Sequence, residues 1–308
     1  MNITVLAGGV GAARFLEGVV QVAAPEDVTV ISNTGDDEDF FGLRVSPDID
    51  IVIYTLAGAV DAEKGWGLTG ETFHALQALR RFGYETWFNL GDGDLATLAH
   101  RTMLLNDGAT LSEATASIAA AYGLALTILP VSDDRIKTMV ETDAGTLSFQ
   151  EYFVKRRTED DVRAVRFDGI DAARPAPGVL DAIHNAGVVC IAPSNPVVSI
   201  GPLLAVAGVR EALRETAAPV VAISPIVGGK TIKGPADRMM ASLGMTPTAV
   251  GVAECYAGFL DVLVIDEEDR DLAPSVEAAG VRAVVAQTIM RGPAEKRALA
   301  EVTLGAVQ

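Results

Sequence analysis

The opening stretch constrains the fold more than any other part of the chain. An apolar run at residues 3–7 leads into Gly8-Gly9-Val10-Gly11, a helical pattern covers 12–23, and a second apolar run follows at 28–32. Strand, glycine turn, helix and strand in quick succession form the first βαβ unit of a doubly wound sheet. The pattern returns further on, where apolar runs at 187–191, 219–224 and 260–265 alternate with helical patterns at 200–216 and 235–243. Continuously apolar strands of this kind belong in a parallel sheet covered by helices on both faces. Residues 72–81 predict another helix, with Phe73, Leu76 and Leu79 on one side, while 51–54 fits strand or helix. The rhythm breaks between about 130 and 177, where 138–142 and 146–149 flank Asp143-Ala144-Gly145 and predict a β-hairpin. The expected architecture is one α/β domain over residues 1–308, doubly wound, mostly parallel and Rossmann-like, with a smaller β-containing insertion at about 130–177.

Composition narrows the function. Hydrophobic residues make up 49% of the chain and charged residues 21%, enough apolar material for a large core. With 41 acidic against 24 basic residues the net charge is −17, a poor match to duplex nucleic acid or an anionic membrane surface. Cys190 and Cys255 lie in apolar surroundings and read as buried thiols, too few for a metal cage or a disulfide framework. His74, His100 and His184 lack the i, i+4 spacing of a zinc helix. Neither a Gly-x-Ser-x-Gly elbow nor a Walker A spacing occurs. No run approaches the ~20 apolar residues of a membrane span, and the first residues carry no basic export signal, so a cytoplasmic location is expected.

Five polar stretches fall where chemistry is expected in such a sheet. At the strand-to-helix turn, Gly8, Gly9, Val10 and Gly11 offer backbone N–H groups to a phosphate, with the helix N-terminus adding positive potential. Arg14 stands where a dinucleotide fingerprint has its third glycine, and suits a charge-assisted phosphate contact. After the second strand come Asp36 and Asp37, then Asp48 and Asp50. In an extended segment the last two carboxylates would point to the same side. Carboxylates facing a phosphate require a hard divalent cation between them, which implies Mg²⁺ on Asp36, Asp37, Asp48 and Asp50. Residues 89–97 hold Asp92 and Asp94 ahead of a helix that either could cap. Residues 192–201, with Ser194, Asn195, Pro196 and Ser199, and residues 224–235, with Lys230, each follow a strand and should line the same crevice. Trp66, between two glycines, either stacks on a planar ring or anchors its loop.

Taken in order, residues 6–16, 33–37, 43–50, 65–67, 90–92, 132–135, 149–151, 192–201 and 224–226 closely resemble the 2-phospho-L-lactate transferase family, and the run Ala192-Pro193-Ser194-Asn195-Pro196-Val197-Val198-Ser199-Ile200-Gly201 is its most specific part. That resemblance implies a step in biosynthesis of the deazaflavin coenzyme F-420. A guanosine-diphosphate-activated three-carbon acid, 2-phospholactyl or enolpyruvyl, would be passed with its phosphate to the hydroxyl of 7,8-didemethyl-8-hydroxy-5-deazariboflavin, releasing GMP. It further implies a Mg²⁺ cofactor, a homodimer, Asp50 and Asp36 as catalytic groups, and a deazaflavin side made of Asp50, Trp66, Asn89, Gly91 and Asp92. The nucleotide side would comprise Gly8, Gly9, Val10, Gly11, Arg14, Ser194, Asn195, Pro196, Ser199 and Lys230. Two departures stand out: Gly93 replaces the family's usual arginine and Leu98 its histidine. Competing readings are a non-catalytic nucleotide-sugar-binding regulator of the same fold and a nicotinamide dehydrogenase. The retained set Ser46 to Asp50 with Gly65 to Gly67 argues against the regulator, and Arg14 argues against the dehydrogenase.

Overall fold

A computed structural model describes residues 1–307. Strand β1 (Ile3–Ala7) is followed by helix α1 (Gly9–Val22) and strand β2 (Val28–Ser32), as the opening pattern predicts. A short antiparallel hairpin, β3 (Glu38–Phe40) and β4 (Leu43–Val45), comes next. Its turn places Phe41 at φ 55° and Gly42 at φ 80°, the paired left-handed conformation of a tight hairpin. Helices α2 (Pro47–Leu56), α3 (His74–Arg80), α4 (Asp92–Asn106) and α5 (Leu111–Ala121) lead to β5 (Thr127–Pro130). Then β6 (Lys137–Thr142), β7 (Gly145–Ser148) and β8 (Val162–Asp168) form a separate three-stranded antiparallel sheet in the order β7-β6-β8. The remaining chain runs α6 (Val179–His184), β9 (Val188–Ile191), α7 (Gly201–Ala205), α8 (Val209–Glu215), β10 (Val220–Ile223), β11 (Ile226–Val227) and β12 (Lys230–Thr231). It ends with α9 (Ala236–Ser242), α10 (Ala249–Cys255), β13 (Val262–Asp266), α11 (Ala273–Ala278), β14 (Arg282–Ala286) and α12 (Pro293–Gly305).

Seven strands form one all-parallel sheet, ordered β14-β13-β10-β9-β1-β2-β5. Successive strand residues point to opposite faces, so two cores grow from one sheet. Val5, Val30, Cys190, Val221 and Val264 pack on one side with Phe15 and Leu16 of α1, Ile49 and Ile53 of α2, and Leu299 of α12. Leu6, Ile31, Ile191, Ala222 and Leu263 pack on the other with Ile183 of α6, Leu203 of α7 and Leu213 of α8. The order reverses at β1, which has β2 on one side and β9 on the other. The helices that follow β1 and β9 therefore lie on opposite faces, and the carboxyl edge between them is the place where sheets of this kind bind ligands.

Three expectations need correction. Residues 51–54 take the helical alternative, and Asp48 and Asp50 go with them: Pro47 supplies a preset φ at the start of α2. The extended-segment geometry assumed for Asp48 and Asp50 therefore does not hold. The helical pattern over 200–216 is cut in two at Gly208, whose φ of 87° ends one turn and starts the next. The sequence reading of 130–177 found the hairpin of β6 and β7 but missed β8, whose charged outer face hides its alternation.

Helices α1 and α12 cross closely enough that a Cβ on Gly18 would run into the backbone carbonyl of Lys296. Alanine normally stabilises a helix interior relative to glycine; here overpacking reverses the sign. Gly18→Ala should lower stability by about 1–3 kcal/mol in urea titrations, and a raised midpoint would refute the close crossing.

Candidate functional site

The crevice at the switch point is assembled from four segments. Gly11 turns its Cα against the carbonyl of Pro193, leaving no room for a side chain, and a Cβ on Gly8 would lie 2.7 Å from the Cβ of Ser199. The turn after β1 is thus pressed onto the loop after β9. Gly9 takes φ 74° to start α1. Buried Asn33, just past β2, ties the remaining pieces together. Its Nδ2 donates to Asp48 at 2.9 Å and to the carbonyl of Val198 at 3.3 Å, while its Oδ1 accepts from the amide of Gly35. Asn33 carries no signature in a single sequence beyond its place after a strand, and the sequence reading assigned it no role.

Around this junction lie buried carboxylates with few partners. Asp36 lies near enough to Asp48 to feel its charge. Burial first, then the charge of Asp48, pushes the Asp36 carboxyl well above its ordinary range. Asp36 Oδ1 is buried without a hydrogen-bond donor, as are the hydroxyls of Thr34 and Ser194 nearby. Burial raises Asp48 to about 6 despite hydrogen bonds from Asn33 and the backbone amide of Gly9. That amide belongs to the first residue of α1, so a carboxylate already uses part of the helix N-terminus. Asp37 is pushed up to about 7 by burial, opposed by Arg44 and by the Ser46 hydroxyl, which donates to it at 2.7 Å.

Asp50 belongs to a different arrangement. Two residues on from Asp48 along α2, it is turned away from it and held by Arg101, fully buried on α4. Arg101 Nη1 donates to Asp50 Oδ2 at 3.0 Å, and Nη2 donates to Oδ1. Both carboxylate oxygens are thereby engaged. The expected four-carboxylate cluster divides into neighbouring Asp36 and Asp48, an Asp37 held by Ser46 and Arg44, and an ion pair, Asp50 with Arg101. Among the described residues no group of three or more His, Cys, Asp or Glu side chains is placed to hold a metal ion. Arg101 was invisible to sequence reasoning because one arginine in a helical run looks like any solvated one.

The other expected residues are dispersed. Ser194 is buried at the crevice. Asn195 spends its Oδ1 on the amides of Val197 and Val198 and its Nδ2 on Met239 Sδ, so it shapes the loop from within. Pro196 is buried beside it and Ser199 half-buried against Gly8. Arg14 is half-buried on α1 and makes no ion pair among the described residues. Lys230 is exposed on β12, and its neighbour Gly228 is held by the carboxylate of Asp269. Trp66 is 42% exposed at the tip of its loop, and Asn89 is exposed. Gly91 is the N-cap of α4, where a Cβ would clash with Glu71. Asp92 is committed within the protein: its carboxylate accepts from Thr72 Oγ1 and from the amides of His74 and Ala75, which holds it down at about 2. It caps α3 rather than α4. Glu71 caps α4 instead, accepting from the amides of Gly93 and Asp94.

Fold and crevice together define a Rossmann-like α/β protein with its polar site at the switch point. A model of the 2-phospho-L-lactate transferase family (CofD) matches residues 3–294. The chain belongs to that family. It is 48% identical to a phosphoenolpyruvate transferase of Streptomyces griseus over 288 residues, covering 92% of this chain and 91% of the relative. It is 41% identical to a 2-phospho-L-lactate transferase of Methanothermobacter thermautotrophicus, covering 99% and 98%. In three dimensions it resembles a Bacillus halodurans crystal structure with a TM-score of 0.67 at 18% identity, over 98% of this chain and 99% of that one. This last likeness concerns the fold alone. No helix of the described residues is long and apolar enough to cross a membrane.

Two predictions follow from the buried charges. Removing Arg101 leaves Asp50 buried and uncompensated, so Arg101→Met should cost about 3–5 kcal/mol. The double variant with Asp50→Asn should recover part of that loss; equal losses in the two would show that the pair is not coupled. Second, Asp37 at about 7 and Asp48 at about 6 keep protons in the fold that an unfolded chain, titrating near 4, has released. The fold then binds more protons than the unfolded chain across that window, so stability falls as pH rises from about 4 to 7. Melting temperatures should decline between about pH 5.5 and 7.5, and less steeply in Asp37→Asn. A rise over that range contradicts the shifts.

Proposed function

We propose that this protein transfers a phosphate-linked three-carbon acid from a guanosine-diphosphate-activated donor to the hydroxyl of 7,8-didemethyl-8-hydroxy-5-deazariboflavin, with release of GMP, in coenzyme F-420 biosynthesis. One observation carries the reading: Asp36 and Asp48 are neighbouring buried carboxyls, undercompensated, at the switch point of a chain that belongs to the 2-phospho-L-lactate transferase family. Relatives named phosphoenolpyruvate transferase are 44–48% identical and those named 2-phospho-L-lactate transferase 37–41%, which favours the enolpyruvyl donor.

The donor set fits Mg²⁺, which is commonly held by one or two carboxylates with substrate phosphates and waters completing the shell. Asp36 and Asp48 are the residues to hold it, and Asp36 Oδ1, like Asp37 Oδ1 beside it, is buried without a partner. Bound there, the ion would neutralise charge on the diphosphate as the phosphorus–oxygen bond breaks. The chain's own contribution is positioning, the main demand of phosphoryl transfer. Arg14 and the amides of the Gly8–Gly11 turn not already taken by Asp48 grip the donor phosphates. Ser194 presents a buried hydroxyl from the facing loop. Arg101 fixes Asp50 on the acceptor side, where both of its oxygens are held in orientation.

The test combines activity with a binding readout. Incubated with donor, deazaflavin alcohol and Mg²⁺, the purified protein should release GMP and form the phosphodiester, and a chelator should stop both. Mg²⁺ should also raise the melting temperature of the wild type near neutral pH and leave Asp36→Asn unmoved. Turnover in excess chelator would remove the ion from the scheme, and tight nucleotide-sugar binding without any transfer would favour the regulator reading.

A further inference from the structure

Asp94 has no capping task once Glu71 takes the N-terminus of α4. Its side chain is turned instead onto α2, where Tyr54 Oη donates to Oδ1 at 2.7 Å. No donor reaches Asp94 Oδ2 among the described residues, and the residue is half-buried, with Oδ2 not among the fully sealed polar atoms. Asp50, the other acid on this side, has both oxygens engaged by Arg101. Tyr54 lies six residues beyond Asp48 on the same helix, about 9 Å along its axis at ~1.5 Å per residue. A phosphoryl group held at the Asp36–Asp48 end, an oxygen in attack position about 3 Å away and a base within hydrogen-bond reach of that oxygen occupy a span of this order.

We propose that Asp94 is the general base of the transfer, taking the proton of the acceptor hydroxyl on Oδ2 while Tyr54 fixes its orientation through Oδ1. The inference rests on the transferase reading above. In the step, the acceptor O–H bond breaks and its proton passes to Asp94. The acceptor oxygen forms a bond to the phosphorus that carries the three-carbon acid. The bond from that phosphorus to the bridging oxygen breaks, and its electron pair leaves with GMP. The groups facing Asp94 are Asp50 and Tyr54 from α2, Glu71 from the segment before α3, and Arg101 from its own helix. Burial, then Asp50, raises its carboxyl to about 6, against the hydrogen bond from Tyr54 and the charge of Arg101. The base is then ionised at neutral pH yet basic enough to accept a proton.

The experiment uses the full chain with donor, deazaflavin alcohol and Mg²⁺. Asp94→Asn still accepts from Tyr54, so its melting temperature should stay near that of the wild type. Its kcat should fall at least about 100-fold with the acceptor KM changed less than about 3-fold. In the wild type kcat should rise with pH and level off above about 6, a limb that Asp94→Asn should lack. Tyr54→Phe should keep the limb and move it to higher pH, a displacement that a merely structural role would not produce. Wild-type turnover with an unchanged rate and limb in Asp94→Asn, or an unmoved limb in Tyr54→Phe, overturns the assignment and leaves the transferase reading intact. A wild-type protein that transfers nothing overturns both.

Discussion

Burial of negative charge at the carboxyl edge of the sheet is the constraint on which the rest of the molecule depends. Asp36, Asp37, Asp48 and Asp50 are each nearly solvent-free, with Asp94 half-buried beside them. Taking an ion out of water costs several kcal/mol unless it is paired, and only Arg44 and Arg101 supply opposite charge from within. The framework that holds these groups is therefore rigid and apolar: α2 delivers Asp48 and Asp50 while burying Ile49, Val52 and Ile53 against the sheet. A helix anchored this way cannot swing its carboxylates out to solvent. Where compensation falls short the cost appears as raised carboxyl titration, and Asp37 and Asp48 hold protons that an exposed aspartate would have released.

Helical periodicity then sorts chemically similar residues into different roles. Asp48 and Asp50 are two positions apart and separated by about 200° around a helix, so one meets Asn33 and Gly9 while the other meets Arg101. Asp92 and Asp94 divide in the same way, the first toward α3 and the second toward Tyr54. Four aspartates that look interchangeable along the chain become a carboxyl held by Asn33, an ion-paired group, a helix cap and a carboxyl held by a tyrosine.

Much of this was legible in the sequence, and the remainder fails for identifiable reasons. β1 and β2 were read to the residue because apolar, β-branched strands bounded by glycine and polar loops leave little choice. The glycine turn was placed correctly, and the close approach of Pro193 gives a reason for Gly11 that the sequence alone does not show. β5 and β14 escaped because they are short or partly exposed edge strands whose pattern matches helix as well as sheet. The Asp48–Asp50 geometry was misjudged because Ile51-Val52-Ile53 carries strand propensity that tertiary packing overrides. Arg101 and Glu71 were missed because their partners lie 51 and 22 residues away, and one sequence records no such pairing.

The crossing of α1 with α12 joins segments that synthesis makes far apart in time. Glu17 and Lys296, paired across that crossing, are 279 residues apart. At ~5–20 residues per second, a ribosome needs roughly 15–60 s to supply the second helix after the first has emerged. Throughout that interval the face of α1 around Gly18 lacks its cover, and the central strand β1 also waits for β9. The glycine turn that heads the molecule is thus among the earliest parts made and among the last to be fixed, so the crevice closes only when nearly the whole chain is in hand.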